Sequence, residues 1–230
     1  MGQAIENAAL SRDHEIVARI SQTSPLEWER LKEADVAIEF SAPHAAIENI
    51  RRCFDADVPV VVGTTGWYED YDAIKEEAIN NKKGILTATN FSLGVNIFFQ
   101  INKRLAELME NHESYDVKIS EIHHTQKLDA PSGTAISLAG QIIERLRRKF
   151  SWKLKEDSDE DTVNSTLYIE SHRIDEVPGT HVITYDSAID QIQITHTAHS
   201  RSGFAFGAVL AAEWLNGKNG VYTMEDIINQ

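Results

Sequence analysis

The chain has 230 residues, 42% hydrophobic and 25% charged, and its 22 Lys plus Arg against 36 Asp plus Glu give a formal charge of −14. A surface that acidic repels nucleic-acid phosphates and anionic lipid, and no run approaches the ~20 apolar residues of a membrane span. Cys53 is the single cysteine, which rules out an internal disulfide and makes a reducing cytoplasm the expected home, and the opening residues do not read as a secretory leader.

Met1 to Leu10 reads as a helix with Ile5 and Ala9 on one face. His14 to Ile20 (HEIVARI) is β-branched and apolar enough for a strand, Pro25 to Glu33 is a short helical piece, and Ala34 to Phe40 is a second strand. Helix Pro43–Asp55, strand Val58–Val62, helix Tyr68–Asn81 and strand Gly84–Ala88 continue the alternation. Strands apolar on both sides and alternating with helices predict a parallel sheet covered on each face.

After Phe91 the rhythm changes. A long helix is expected over Gly94 to Asn111, a strand over Tyr115 to Ile122, and a second long helix over Thr134 to Phe150 that ends in the basic run RLRRK. Lys155 to Asp161 reads as an acidic solvated loop. Thr166–Arg173, Gly179–Tyr185 and Asp190–Ala198 are strands, the last alternating strictly as in an antiparallel sheet with one wet face. An apolar helix, Phe206 to Leu215, closes the chain and is expected to return to the first domain. The expected organisation is a doubly wound α/β domain over 1–92 and 202–230, and an α+β domain with an open mixed sheet over 93–201. A small-molecule site is expected in the cleft between two such lobes. A doubly wound domain ordinarily opens on a strand and a glycine-rich turn. Met1 and Gly2 fit the tail of G-x-x-G-x-M-G, so about ten residues are expected upstream.

Three loops directly follow apolar strands, at the carboxyl edge where open α/β sheets bind ligands: Phe40–Pro43 (FSAP), Gly63–Trp67 (GTTGW) and Ala88–Asn96 (ATNFSLGVN). One such loop would be ordinary strand-to-helix punctuation, whereas three in series favour a dinucleotide. The densest chemistry lies in EIHHTQKLDAPSGTA, Glu121 to Ala135. His123 and His124 are adjacent, so in a strand they point to opposite faces and one of them lines a given pocket. Lys127 adds a cation, and the turn through Pro131, Ser132 and Gly133 runs into a helix whose positive end suits a carboxylate. A lone His pair is more often structural, and a zinc site drawn from His112, His123, His124 and Asp129 lacks any metal-binding spacing, so no metal is expected. His196, His199 and Arg201 form a third cluster, which taken alone reads as surface charge.

The run EIHHTQKLDAPSGTA closely resembles the signature of the 4-hydroxy-tetrahydrodipicolinate (dihydrodipicolinate) reductases of lysine biosynthesis, and FSAP, VVGTTGW, ATNFSLGVN, Pro178–His181 (PGTH) and HTAHSR extend the likeness along nearly the whole chain. The resemblance implies a Rossmann-like domain, NADH or NADPH as cofactor, a small cyclic dicarboxylate as substrate and a cytoplasmic homotetramer. It implies His123 as proton donor and acceptor and Lys127 as second proton donor. His124, Gly133 and Thr134 would contact substrate, with Arg201 at the domain junction. Met1, Gly2, Gly63, Thr64, Thr65, Ala88, Thr89, Asn90 and Phe91 would contact the cofactor. The position that reads the adenosine ribose falls on Ser21 and Gln22, neither an obvious anchor for a 2′-hydroxyl or a 2′-phosphate. A metal-dependent hydrolase and a non-catalytic dinucleotide sensor are the rival readings.

Overall fold

The structure is a computed structural model that describes residues 1–21, 24–156, 163–200 and 202–229. It divides into two compact units, Met1–Asn96 with Ser202–Gln230, and Ile97–Arg201. In chain order the elements are α1 Gly2–Leu10, β1 Ala37–Glu39, α2 Pro43–Asp55, β2 Val60–Val62, α3 Tyr71–Asn80, β3 Gly84–Thr87, α4 Leu93–Met109, β4 Asp116–His123, α5 Gly133–Ile143, β5 Ser151–Leu154, β6 Thr166–Arg173, β7 Gly179–Asp186, β8 Gln191–Ala198, α6 Ser202–Leu215, β9 Gly220–Tyr222 and α7 Met224–Ile228.

The first unit is a parallel sheet in the order β1-β2-β3-β9. Val60, Val61 and Val62 are all buried because helices cover both faces. Val60 and Val62 pack with Ala46, Ile50 and Phe54 of α2 and Ile74 and Ala78 of α3. Val61 points the other way, into Ile5 and Ala9 of α1 and the small-residue face of α6, Ala205, Ala208, Val209 and Ala211. This is the doubly wound layering that the alternating pattern predicts.

The second unit is a mixed five-stranded sheet, β5-β6-β4-β7-β8, parallel across β5, β6 and β4 and antiparallel across β4, β7 and β8. Helices α4 and α5 cover one face, where Phe98, Met109, Leu138 and Ile142 meet Val117, Ile119, Leu167, Ile169 and Ile183. The other face carries exposed polar residues such as Gln193, Thr195 and Thr197.

Three expectations need correcting. His14–Ile20 forms no strand: it lines a cavity of about 970 Å³ together with Val36 and Ile38. A strand needs a hydrogen-bonded partner, and none pairs with this segment among the described residues. The helix expected to reach Phe150 stops at Ile143. Beyond it the basic run is drawn off by tertiary partners. The Arg148 guanidinium donates to the carbonyls of Met109, Glu110 and Tyr115. The buried Lys149 ammonium donates to those of Asn164 and Thr166 and pairs with Asp116 at 2.6 Å. That turn delivers the unforeseen edge strand β5. Finally, the chain does not close on the apolar helix, because β9 and α7 follow and β9 completes the parallel sheet. The acidic loop read at Lys155–Asp161 falls largely on residues outside those described, as do Gln22 and Arg201.

Candidate active site

Along β4 the inward positions are Val117, Ile119, Glu121 and His123, so the face that is apolar core for two positions becomes acid and imidazole for the next two. Glu121 is completely buried and His123 is 7% exposed. Register places Ser171 of β6 on one side of Glu121, His181 of β7 on the other, and His196 of β8 beyond His181, making one polar row across four strands. Arg173 stands opposite His123.

The Glu121 carboxylate is the hub. It accepts the Ser132 N–H at 3.0 and 3.1 Å and the Ser171 hydroxyl. His123 Nδ1 and His181 Nε2 each stand 3.6 Å from its Oε2, and Arg173 Nη2 stands 3.5 Å from Oε1. Burial alone would raise this carboxyl, but the bonds from His181, Ser132 and Ser171 outweigh it and hold Glu121 far below the usual carboxylate range. It is therefore ionised at neutral pH. The two imidazoles meet edge to face, with centroids 5.1 Å apart. Burial pushes His123 down to about 4; Glu121 pulls it upward, while His181, Lys127 and Arg173 push it further down. With that balance the ring is neutral at pH 7.

Ser132 ties this row to the next element. Its hydroxyl accepts the Ala135 N–H at 3.2 Å, capping α5, and lies 3.1 Å from His181 Nε2. The first turn of α5 carries no acidic side chain of its own, and the Glu121 carboxylate accepts the N–H of its cap residue Ser132. Gly133 is exposed, and a side chain on it would meet nothing within 4 Å. Between β4 and α5 the loop turns back, with Lys127 N–H bonded to the His124 carbonyl at 3.1 Å. The Lys127 ammonium pairs with both oxygens of Asp129 at 2.8 and 2.9 Å. Arg173 fastens the loop by donating to the carbonyls of Lys127 at 3.3 Å and Asp129 at 2.6 Å.

The structure thus brings His123, Lys127, Gly133 and Thr134 into one neighbourhood of the second unit, with half-buried His124 just past the end of β4. His196 packs against Phe98, and burial and the His181 charge lower its pKa. His199 is exposed. The sequence reading gave no site role to Glu121, Arg173, His181 or Gly179, although Pro178–His181 was among the motifs of the family likeness. Glu121 was within reach, since it lies two residues from His123 and strand alternation puts both on one face. Arg173 and His181 arrive through strand register, which local pattern does not encode. Gly179 earns its place by what it lacks: a Cβ there would stand 3.0 Å from His123 Nε2.

Glu121, His123 and His181 offer ligand atoms that lie within 4.8 Å of one another, a set different from the one weighed from sequence. The carboxylate oxygens are already occupied by the Ser132 N–H and the Ser171 hydroxyl, and the Arg173 guanidinium supplies the positive charge a metal ion would bring. The donor set fits a proton-handling site better than a metal centre.

In the first unit the candidate cofactor residues gather at the carboxyl ends of the parallel strands. Gly63, Thr64 and Thr65 follow β2, and Ala88, Thr89, Asn90 and Phe91 follow β3. Met1 and Gly2 open α1, which has neither a side-chain cap nor an acid in its first turn. Thr64 is buried: its hydroxyl accepts the Ser41 N–H at 2.8 Å, and its carbonyl accepts the Trp67 indole N–H at 2.8 Å. Gly63 has a packing reason of its own, since a side chain would collide with the Phe40 ring at 2.1 Å. Phe91 is core, 5.4 Å from the Phe40 ring, and its carbonyl packs against Gly207, where a side chain would stand 1.7 Å from it.

Family models described as the N-terminus and the C-terminus of dihydrodipicolinate reductase match residues 1–91 and 94–228. A 4-hydroxy-tetrahydrodipicolinate reductase of Christiangramia forsetii is 49% identical over 229 residues, covering 100% of this chain and 94% of the relative. One from Neisseria gonorrhoeae is 36% identical over 201 residues, covering 86% and 74%. Among solved structures, the dipicolinate-bound dihydrodipicolinate reductase of Paenisporosarcina sp. TG-14 superposes with a TM-score of 0.77 at 25% identity, covering 98% of this chain and 94% of that one.

Proposed function

The chain belongs to the dihydrodipicolinate reductase family, and from that premise we propose that it reduces 4-hydroxy-tetrahydrodipicolinate to tetrahydrodipicolinate, using NADH or NADPH, in the diaminopimelate route to lysine. It is an oxidoreductase, and its substrate is a small cyclic dicarboxylate. A hydride and one proton enter the substrate and one water leaves. The observation that carries the reading is the buried Glu121–His123–His181 cluster set beside Lys127 and the capped start of α5.

The residues fit a nicotinamide dinucleotide. A parallel sheet with three loops at its carboxyl edge and an α1 start free of acidic side chains offers amides and positive potential to phosphates. Gly63–Thr65 and Ala88–Phe91 would hold it, and bound there it would supply the hydride. The remaining work falls to the second unit. The start of α5, through Gly133 and Thr134, takes one carboxylate of the substrate, and Lys127 and His124 answer its remaining charge. His123 delivers the proton, and Lys127 is the second donor. At about 5 Å and an effective dielectric near 20, one negative charge is worth roughly 3 kcal/mol, enough to raise an imidazole pKa by about two. Arrival of the dianion therefore moves a ring that burial holds neutral toward its charged form. The cytoplasmic homotetramer remains part of the proposal, supported by the single cysteine Cys53 and by the helix-free polar sheet face at Gln193, Thr195 and Thr197.

The test is oxidation of NADH and of NADPH by the purified chain with freshly generated substrate, in buffer with and without a strong chelator. Turnover with at least one nucleotide, unaffected by chelator, is expected; no turnover with either removes the proposal, and loss with chelator would give a metal ion a part in the reduction. A second expectation concerns Gly179→Ala. The added methyl must push the His123 ring by a few tenths of an ångström, which is expected to lower kcat by about tenfold, given that misplacement by ~1 Å costs about 10²-fold. An unchanged kcat would mean that the ring does not need its observed place.

A further inference from the structure

A proton donor must present its proton at a defined atom, and an imidazole has two. His123 Nδ1 is buried without a hydrogen-bond partner and faces the Glu121 carboxylate at 3.6 Å. Its Nε2 edge lies over Gly179, where the absence of a side chain leaves it room. Four charged or titratable groups act on the ring: Glu121 on its own strand, His181 on β7, Arg173 on β6 and Lys127 on the following loop. Three of them are or can become positive and drive a proton off the ring. Glu121 alone is negative, and it stands on the Nδ1 side. Its own position is fixed by the Ser132 N–H, the Ser171 hydroxyl and Arg173, so the carboxylate cannot swing away to solvent.

We propose that Glu121 is a positioning residue that keeps a proton on Nδ1 of His123, leaving Nε2 as the atom that takes up a proton when substrate binds and gives it to the substrate ring. The pairing has the form of a base oriented by a third group, in which the carboxylate selects the tautomer and stabilises the imidazolium without becoming protonated itself. It carries a division of labour along β4: Glu121 holds, His123 transfers. The role in turnover rests on the reductase reading above, whereas the tautomer is a property of the ligand-free chain.

Nitrogen-15 spectra of the full chain labelled in histidine read the tautomer directly, with the His123 signal identified by its absence from His123→Gln. At neutral pH, Nδ1 is expected at a protonated shift and Nε2 at an unprotonated one. In Glu121→Gln, which keeps size and hydrogen-bonding oxygen but removes the charge, the preference is expected to fall to a mixture. kcat should drop by about 10²-fold, the lower end of general acid–base effects, with KM changed less than about threefold. Glu121→Asp, with the charge retained at slightly greater reach, should recover part of kcat and most of the tautomer preference. An Nε2–H tautomer in the unaltered chain, or a folded Glu121→Gln that keeps both tautomer and kcat, overturns the proposal. Should Glu121→Gln fail to fold, the spectrum of the unaltered chain decides by itself. A chain with the expected tautomer but no turnover of the proposed substrate would count against the reductase reading and leave the tautomer assignment standing.

Discussion

His123→Gln is expected to lower kcat for reduction by about 10²–10⁴-fold, the range removed with a general acid. Glutamine nearly fills the space of the ring, so the packing around β4 and β7 survives, but it has no proton to transfer near neutral pH. The sign of the pH effect follows from the role. A donor works in its protonated form, so kcat of the unaltered chain falls as pH rises through the His123 pKa in the substrate complex, and the variant should lose that falling limb along with the rate. On the proposed role, a ring held down to about 4 chiefly by burial would be a poor donor at pH 7 without the charge of the substrate beside it. Proton uptake on binding a dicarboxylate, measured by calorimetry in buffers of different ionisation enthalpy, is the matching observation. A variant with full kcat would remove His123 from the chemistry.

The second large effect is on stability. Glu121→Ala is expected to cost about 3–5 kcal/mol, the range for removing one partner of a buried charged group, because the Arg173 guanidinium, the Ser132 N–H and the Ser171 hydroxyl all lose the same acceptor site. Urea midpoints compared at constant slope provide the measurement. The pH dependence separates two contributions. Glu121 has a folded pKa well below its ordinary 4.5, so its contribution is fully present above pH 4.5 and is lost as pH falls through the folded value. His123 is held at about 4 against an ordinary 6.5. The unfolded chain binds the extra proton in that window, so stability is lost as pH falls from 6.5 toward 4, by roughly 3 kcal/mol. His123→Gln should remove the step between 6.5 and 4, whereas Glu121→Ala should remove the one below 4.5. A Glu121→Ala chain as stable as the parent would mean that the carboxylate hub holds nothing.

Much of this protein was legible locally. The alternation of apolar runs with helical spacing specified a covered parallel sheet because both faces of its strands must be dry, as the three buried valines of β2 illustrate. The stretch from Glu121 to Ala135 announced its chemistry because a carboxylate, two imidazoles, an ammonium and a helix start sit within fifteen residues of one another. Single segments whose fate depends on distant partners were misread. His14–Ile20 has strand composition but pairs with no strand among the described residues, and the basic run after α5 left the helix to reach carbonyls more than thirty residues away.

The sequence by itself put two imidazoles, an ammonium and a helix start on one strand and the loop after it, since those are matters of spacing and periodicity, while the substrate proposed to meet them rests on the family likeness. Only the tertiary structure decided that Arg173, His181 and Gly179 complete the arrangement. Strand register is set by long-range pairing, and it is register that puts a guanidinium, a second imidazole and a bare backbone against one buried carboxylate and the ring beside it.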